Sequence, residues 1–437
     1  MQLDYKIQDV PRLMIFFTPV SIARNLNIFW ISVILYSSGY TFSISLYSFA
    51  ALFQGLQIIG IAGLFFSLIN LINLKKLNVY FYIIFIIYIL WQFFFLIRGN
   101  FKNLEYEEVK SLFFNGNYGL ISILIPLVSL LPVSLINIKK LFDASIILFF
   151  MYILFTLTLL PDLLNSDPYN SFSREVFESS VKFLAFPVCF ILITFDLHSF
   201  KRKLLSLAVF SIIILFAILR ARRGILLMCS IAAVFAFIFY FFKSSKKLGW
   251  ALAIIYLIIL IYQFYTIDYS LSNLQFLSNI YERGLENTRS YVEKCFFSSM
   301  STLDWIIGKG YNVGYLCPGI DDSVFKNGVR KVIETDYLQL ILQGGLINLI
   351  LLLSIILPAV FLGLFYSTNL FCKKAATWIM IWLFFLYPSN GYTVSIFHIS
   401  MWLMVALCYN KRFRELSDQT IFDYFNKDIR IQTNGKA

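Results

Sequence analysis

Three arginines stand within four residues, between two long apolar runs, at Arg220, Arg222 and Arg223. A guanidinium group matches the oxygens of a phosphate with two parallel hydrogen bonds, and Gly224 would let the backbone approach a ligand closely. A single arginine at the end of a membrane helix more often extends towards lipid headgroups. For three arginines together we favour a bound anion, and the sequence predicts an anion site around residues 220–223.

Two carboxylates, Glu334 and Asp336, immediately precede another apolar run, from Leu338 to Phe365. At the start of a helix they would lie near the positive end of the helix dipole. A carboxylate that faces an arginine-held leaving group suits general-base group transfer. Glu334 is the first candidate for such a base and Asp336 the second. Helix capping would explain Thr335 or Asp336 without any chemistry.

The segment before these acids holds Arg289, Trp305 and the turn Gly308-Lys309-Gly310. Loop glycines usually serve backbone geometry, and mixed acidic and basic residues usually form a solvated surface. The position of the segment next to Glu334, more than its composition, makes it a candidate part of the site.

Metal chemistry has little support in the sequence. The acidic cluster Glu105–Glu108 could hold a divalent cation, but such a cluster is more often a solvated turn. The two histidines, His198 and His398, are far apart in sequence. We therefore predict no metal and no cofactor. Cys295 and Cys317 could pair in an oxidising compartment, and the sequence leaves this pairing open.

The composition indicates a bilayer as the solvent. Of 437 residues, 59% are hydrophobic and only 14% are charged, whereas an ordinary soluble domain carries about 25% charge. The net charge of +12 is better explained by membrane topology than by nucleic-acid binding. Apolar runs long enough to span predict an all-α polytopic protein with about twelve transmembrane helices. They lie near 28–47, 50–72, 78–97, 118–138, 142–161, 181–197, 204–220, 224–242, 248–266, 337–365, 375–390 and 393–409.

Clusters of Lys and Arg recur at alternate connections, and all of them face the cytoplasm if both termini are inside. The three arginines then fall on the outer face, where the topology rule gives them no reason to be. The outer connections are 98–117, 162–180, 220–223, 267–336 and a turn at 388–391. The chain divides into an N-terminal bundle of about nine spans (1–266), one large outer loop (267–336), C-terminal spans (337–410) and a cytoplasmic tail (411–437).

Three segments carry a resemblance to a known family. Residues 221–227 look like a Ser/Thr-Arg-x-Gly stretch that opens a span, and Arg289 is followed by a Gly-x-Gly turn after some twenty residues. The run from Glu334 to Leu353 looks like the end of a large periplasmic loop. Together they resemble the superfamily of O-antigen polymerases and O-antigen ligases, which are bacterial inner-membrane glycosyltransferases. Ligases usually have a histidine where Glu334 stands, so the resemblance favours a polymerase.

The resemblance implies a GT-C-like fold with its active site on the periplasmic side of the inner membrane. The substrate would be an oligosaccharide on undecaprenyl diphosphate, and the growing glycan would transfer to a hydroxyl of the incoming lipid-linked unit. Membrane lipid surrounds such an enzyme, and a chain-length regulator protein is a candidate partner. Because a diphosphate is already an activated leaving group, the reaction would need neither metal nor nucleotide.

The resemblance also implies roles for individual residues. Arg222 and Arg223, within the cluster that includes Arg220, would bind the diphosphate, and Arg289 would assist them. Glu334 would orient or deprotonate the acceptor hydroxyl. Trp305 and Tyr337 would stack on sugar or anchor the loop at the interface. Lys309 and Gly310 would belong to the same sugar-binding or loop segment.

Two other functions fit the same span count. One is an O-antigen ligase that transfers the glycan to lipid A core, and the other is a flippase for lipid-linked oligosaccharides. Transporters usually place polar residues near the middle of the bilayer, on broken helices or in repeated halves. Here polar residues gather at the predicted outer face and no repeat is visible, which favours catalysis at the membrane surface.

Overall fold

The computed structural model describes residues 19–72, 78–101, 106–116, 119–164, 171–220, 222–243, 289–318, 328–333, 335–387 and 392–434. Seven helices within these ranges are long and apolar enough to cross a membrane. The chain is therefore a mostly helical, multi-pass membrane protein. The predicted span at 248–266 and the candidate base Glu334 lie outside the described residues, and the total of twelve spans stays a prediction.

The first ten helices precede the large loop. They are α1 (Pro19–Ser45), α2 (Ala50–Leu71), α3 (Val79–Ile97), α4 (Tyr106–Phe114), α5 (Leu135–Thr158), α6 (Leu160–Leu164), α7 (Ser171–Ser180), α8 (Val188–Ile193), α9 (Phe200–Leu219) and α10 (Arg223–Lys243). A 3-10 helix occupies Leu120–Leu130, shorter 3-10 turns occupy Tyr47–Phe49 and Phe195–Leu197, and a π-helical turn occupies Val181–Ala185.

The remaining elements belong to the loop and the C-terminal part. They are α11 (Arg289–Ser299), α12 (Thr302–Ile307), β1 (Tyr315–Leu316), β2 (Val329–Arg330), α13 (Asp336–Phe365), α14 (Leu370–Phe385), α15 (Ile396–Tyr409), α16 (Lys411–Arg414) and α17 (Asp418–Asn434). The two short strands pair antiparallel, with Tyr315 opposite Arg330.

One predicted span has a different structure. Within the span predicted at 118–138, a 3-10 helix occupies Leu120–Leu130, and α5 begins only at Leu135. Pro126 and Pro132 lack the N–H that an α-helix needs, which favours the tighter turn and the break. The Ser134 side chain then caps α5 by accepting a hydrogen bond from the Asn137 amide. Lys139 and Lys140, which fall between the predicted spans 118–138 and 142–161, therefore lie inside α5.

Contacts between distant connections define two ends of the bundle. At the first, which we call the loop end, hydrogen bonds and ion pairs join the described residues of several connections. These residues are 98–101, 106–116, 162–164, 178–182, 220, 222, 289–318, 328–333, 335–336, 385–387 and 392–394. At the opposite end, the tail end, α17 packs near the starts of α5 and α14. The loop end collects the connections that the basic clusters predict to be outside.

Aromatic side chains fill the centre of the C-terminal bundle. Trp378, Trp382 and Trp402 are fully buried. His398 stacks on Trp382 with ring centroids 5.1 Å apart, accepts a hydrogen bond from Trp402 Nε1 at 2.9 Å and contacts the Thr393 carbonyl. This packing makes α14 and α15 a rigid support for the residues at the loop end.

Candidate functional site

The three clustered arginines have three different environments. Arg220 ends α9, is 1% exposed, and donates a hydrogen bond from Nη2 to the Asp162 carbonyl. Arg222 forms an ion pair with Glu178, with 2.9 Å between Nη1 and Oε2. Arg223 is exposed at the first position of α10. Arg220 thus joins the end of α9 to α6, while Arg222 and Arg223 are the members closer to the surface.

Glu178 bridges two cations at the loop end. Its Oε1 lies 2.6 Å from Lys182 Nζ, and its Oε2 accepts from Arg222. The Lys182 side chain is 5% exposed, whereas those of Glu178 and Arg222 are 24% and 19% exposed. Solvent therefore reaches the cluster from the side of Glu178 and Arg222, and hardly reaches Lys182. Lys182, Arg222 and Glu178 sum to one positive charge among these three side chains, and ammonium and guanidinium groups attract anions strongly where water is partly excluded.

A π-helical turn positions Lys182. The turn closes with a hydrogen bond from the Phe186 amide to the Val181 carbonyl at 2.7 Å, five residues apart. Pro187 has no N–H to donate to the Phe183 carbonyl, so a regular α-helix cannot continue through this point. Such turns often occur at functional sites because the extra residue redirects side chains. Here the turn follows α7 directly, and Lys182 contacts Glu178, four residues before it.

The start of α13 lies beside this cluster. The Asp336 amide donates to the Leu386 carbonyl at 2.9 Å, and Lys182 Nζ lies 5.9 Å from the ring centroid of the preceding residue, Phe385. Asp336 is fully buried, and its Oδ2 accepts a hydrogen bond from the Tyr392 amide at 2.8 Å. Its position is that of a structural link between α13, α14 and the segment before α15. This structural role is what the described contacts show, and a role of Asp336 as a base stays a prediction.

The tyrosine that meets Asp336 is itself buried. The hydroxyl groups of Tyr392 and Tyr88 are 2.7 Å apart, and burial raises the pKa of Tyr392 to about 12. Its hydroxyl group therefore remains protonated near neutral pH. The main chain of this segment also contacts the site, because the Val394 amide donates to the Gly116 carbonyl at 2.8 Å. A Cβ at Gly116 would come within 2.5 Å of the Phe183 ring, next to Lys182.

The Gly308-Lys309-Gly310 turn is docked on a break in α13. Gly345 has φ +72°, ψ −176°, which interrupts the helix and frees backbone carbonyls. The Lys309 and Gly310 amides donate to the carbonyls of Leu342 and Gln343 at 2.7 and 3.0 Å. The Gly344 carbonyl accepts from Trp91 Nε1, and the Leu340 carbonyl from the Asn348 side chain. Partners within the protein thus satisfy these carbonyls, and the break serves loop docking.

The other loop candidates have structural partners. Lys309 Nζ donates to the Ser299 carbonyl at the end of α11, and Trp305 stacks on Phe297 with centroids 5.8 Å apart. The Tyr337 hydroxyl donates to the Leu383 carbonyl at 2.7 Å. These contacts favour loop anchoring over sugar stacking. The side chain of Arg289, the first residue of α11, lies outside the described part of the chain.

A disulfide joins α11 to the residue that follows β1. Cys295 and Cys317, whose pairing the sequence left open, are bonded, with Cα atoms 5.3 Å apart. Phe296 packs edge-on against Tyr315 in the same small core. The bond and this core hold the described part of the loop together.

No metal cluster emerges among the residues that the structure describes: no three His, Cys, Asp or Glu side chains come together there. Glu105 lies outside these residues, and Glu108 pairs with Lys331 at 2.7 Å. His198 is buried at the tail end, where it contacts Thr194. The acidic cluster therefore contributes an ion pair between α4 and the loop.

Sequence reasoning missed Glu178 and Lys182. A signal was present, because Lys182 opens the predicted span 181–197 on the same outer face as the arginines, and Glu178 precedes it by four residues. No family model matches the chain, and no significant similarity connects it to any curated protein or solved structure.

Proposed function

We propose that this protein is a polysaccharide polymerase that joins undecaprenyl-diphosphate-linked oligosaccharide units at the outer face of the bacterial inner membrane. The observation that carries the proposal is the cationic cluster of Lys182 and Arg222 around Glu178. It lies among connections that the positive-inside rule predicts to be outside, so that rule does not account for its charge. A diphosphate headgroup at the membrane surface is the ligand that suits this charge and position.

The proposed reaction is a group transfer between two lipid-linked glycans. The bond from the anomeric carbon of the donor sugar to the diphosphate oxygen breaks, and the acceptor hydroxyl oxygen forms the new bond to that carbon. Lys182, Arg222 and Arg223 stabilise the negative charge that the leaving diphosphate acquires. The acceptor proton passes to a base, for which Glu334 remains the candidate. In this proposal the cations replace a divalent metal, and no cofactor takes part.

The disulfide supports the proposed orientation. Disulfides persist in oxidising compartments and are rare in the cytoplasm. The Cys295–Cys317 bond belongs to the loop end, so this end is the one that we place outside, with both termini in the cytoplasm. The cationic cluster then faces the compartment in which lipid-linked repeat units are polymerised.

The test is deletion of the gene in the source organism, with plasmid-borne variants and a polysaccharide gel. Deletion should convert a ladder of chain lengths into single-repeat glycan, and the wild-type gene should restore the ladder. Arg222→Ala should lose at least a hundredfold of the long-chain product, the usual effect of removing one charge-stabilising donor. Arg202→Ala, which breaks an ion pair with Asp143 at the tail end, is the matched control and should keep the ladder.

Two outcomes would replace this proposal with another function. Accumulation of finished, lipid-linked polymer in the deletion strain would indicate a ligase. Accumulation of lipid-linked units on the cytoplasmic side would indicate a flippase. The break in α13 does not favour ion-coupled transport, because the described carbonyls around it accept hydrogen bonds from Trp91, Lys309, Gly310 and Asn348.

A further inference from the structure

Glu178 holds Lys182 and Arg222 close enough together for one anionic ligand to contact both. Each carboxylate oxygen contacts one cation, at 2.6 Å for Lys182 and 2.9 Å for Arg222. A phosphoryl group also offers oxygens side by side, which is why the same cations bind carboxylates and phosphates. Glu178 therefore occupies the place where a phosphoryl group would contact both side chains.

The cations and the carboxylate differ in their freedom to move. Lys182 is almost completely buried on the π-helical turn and lies over the Phe385 ring, whereas about a quarter of the Glu178 side chain is exposed. A glutamate near the end of α7 can swing outward by rotation about its side-chain bonds. The lysine would stay where the packed turn holds it.

We propose that Lys182 and Arg222 bind the diphosphate and that Glu178 is an internal counter-ion which the ligand displaces. This inference rests on the proposed function and adds a means of selecting the substrate. Any anion that enters must break two charge-assisted contacts of Glu178. A diphosphate has more negative charge and more oxygens than the carboxylate, so its contacts with Lys182 and Arg222 are stronger than those that Glu178 gives up. A single phosphate group has less charge and fewer oxygens, so its gain in binding free energy is much smaller.

The Glu178 counter-ion would also assist product release. After transfer, the lipid diphosphate must leave two cations in a partly dehydrated site, where their attraction for it is strong. Glu178 lies on α7, directly before the turn that carries Lys182, and can re-form both pairs as the product departs. The counter-ion thus reduces affinity for every anion and reduces it most for the monophosphate form of the carrier lipid.

The experiment measures equilibrium binding to the purified full-length protein in lipid nanodiscs. The probes are undecaprenyl diphosphate, undecaprenyl monophosphate and inorganic pyrophosphate. Glu178→Gln should strengthen monophosphate binding about tenfold and diphosphate binding less, so that the preference for the diphosphate narrows. Lys182→Met should weaken diphosphate binding about tenfold or more, and Lys182→Arg should restore most of it. Asp143→Asn, which breaks the ion pair with Arg202 at the tail end, should change none of these affinities.

The results separate a counter-ion from a purely structural glutamate. If Glu178→Gln weakens the binding of both lipids, or leaves their ratio unchanged, the displacement inference is refuted. If Lys182→Arg binds as poorly as Lys182→Met while both elute as monodisperse protein, the charge of Lys182 is not the reason and the inference also fails. Competition by pyrophosphate would support recognition of the diphosphate group itself. The inference is also refuted if pyrophosphate does not displace the lipids and no variant changes their binding.

Binding and polymerisation are read out independently. The binding assay contains no glycan, so it responds to the anion site alone. A variant response as predicted, together with an unchanged ladder in the deletion strain, would reject the polymerase and keep the anion site. A lost ladder with affinities that ignore Glu178 would keep the polymerase and reject the counter-ion.

Discussion

Replacing Gly345 by alanine is expected to detach the Gly308-Lys309-Gly310 turn from α13. Gly345 combines φ +72° with an extended ψ, a backbone region that is essentially restricted to glycine. A Cβ at this position would lie 2.1 Å from the Ile306 carbonyl oxygen and 2.5 Å from the Ile307 amide nitrogen. Both neighbours are backbone atoms, so they cannot rotate away, and the overlap is relieved only if the loop moves.

The magnitude follows from the strain that the substitution adds to the docked state. A non-glycine residue held in such a backbone region costs about 1–3 kcal/mol. The hydrogen bonds from Lys309 to Leu342 and from Gly310 to Gln343 are lost on detachment in both proteins, so they do not add to the difference. The strain alone lowers the ratio of docked to detached loop by about fivefold to 150-fold.

Hydrogen exchange with mass spectrometry measures the detachment of the Gly308-Lys309-Gly310 turn. Peptides that cover residues 306–312 contain the Lys309 and Gly310 amides, and their protection should fall in Gly345→Ala. The control is Gly55→Ala in α2, where a Cβ would meet nothing within 4 Å and alanine favours the helix. The reasoning is wrong if these two amides exchange in Gly345→Ala as slowly as in the wild type.

Three further predictions concern the tail end and the disulfide. Asp196→Asn should lower the thermal unfolding temperature more than Lys374→Met, because it removes a carboxylate from an ammonium group that is 3% exposed; equal losses would contradict this. Burial lowers the pKa of His198 to about 3, whereas the unfolded chain protonates near pH 6.5. Stability should therefore fall as the pH decreases from about 6.5 towards 3, and less so in His198→Gln; thermal unfolding at each pH measures this, and an identical pH dependence of the variant would refute it. Thiol labelling of denatured protein should modify four of six cysteines before reduction and all six afterwards, since Cys295 and Cys317 are bonded; six labels before reduction would contradict the bond.

Much of the membrane architecture could be predicted from hydropathy. The span predicted at 78–97 is α3, Val79–Ile97, and the span predicted at 204–220 is α9, Phe200–Leu219. Hydropathy succeeds for such segments because every residue of a lipid-facing helix must tolerate the hydrocarbon, so about twenty apolar residues stand in one uninterrupted run. The charges that interrupt these runs likewise predicted which connections meet at the loop end.

Backbone irregularities inside apolar runs could not be predicted in this way. The run from Leu338 to Phe365 contains nothing that hydropathy distinguishes at Gly345, yet α13 is broken there. The run after Ser180 reads as one span but begins with a π-helical turn. The break in α13 depends on partners elsewhere, the loop amides, whereas Pro187 marks the second irregularity in the sequence without showing its hydrogen-bond pattern. Hydropathy measures transfer into lipid and carries no information about such partners.

The sequence by itself determined that this chain belongs in a membrane and that arginines cluster at one predicted face of it. Only the tertiary structure decided which of these arginines is buried as a structural anchor and which meets Glu178 together with Lys182. The physical reason is distance along the chain. Arg222 and Glu178 lie on different elements, and whether their side chains meet depends on how the helices pack. Burial and pairing determine how strongly a charged side chain interacts with a ligand, and both depend on that packing.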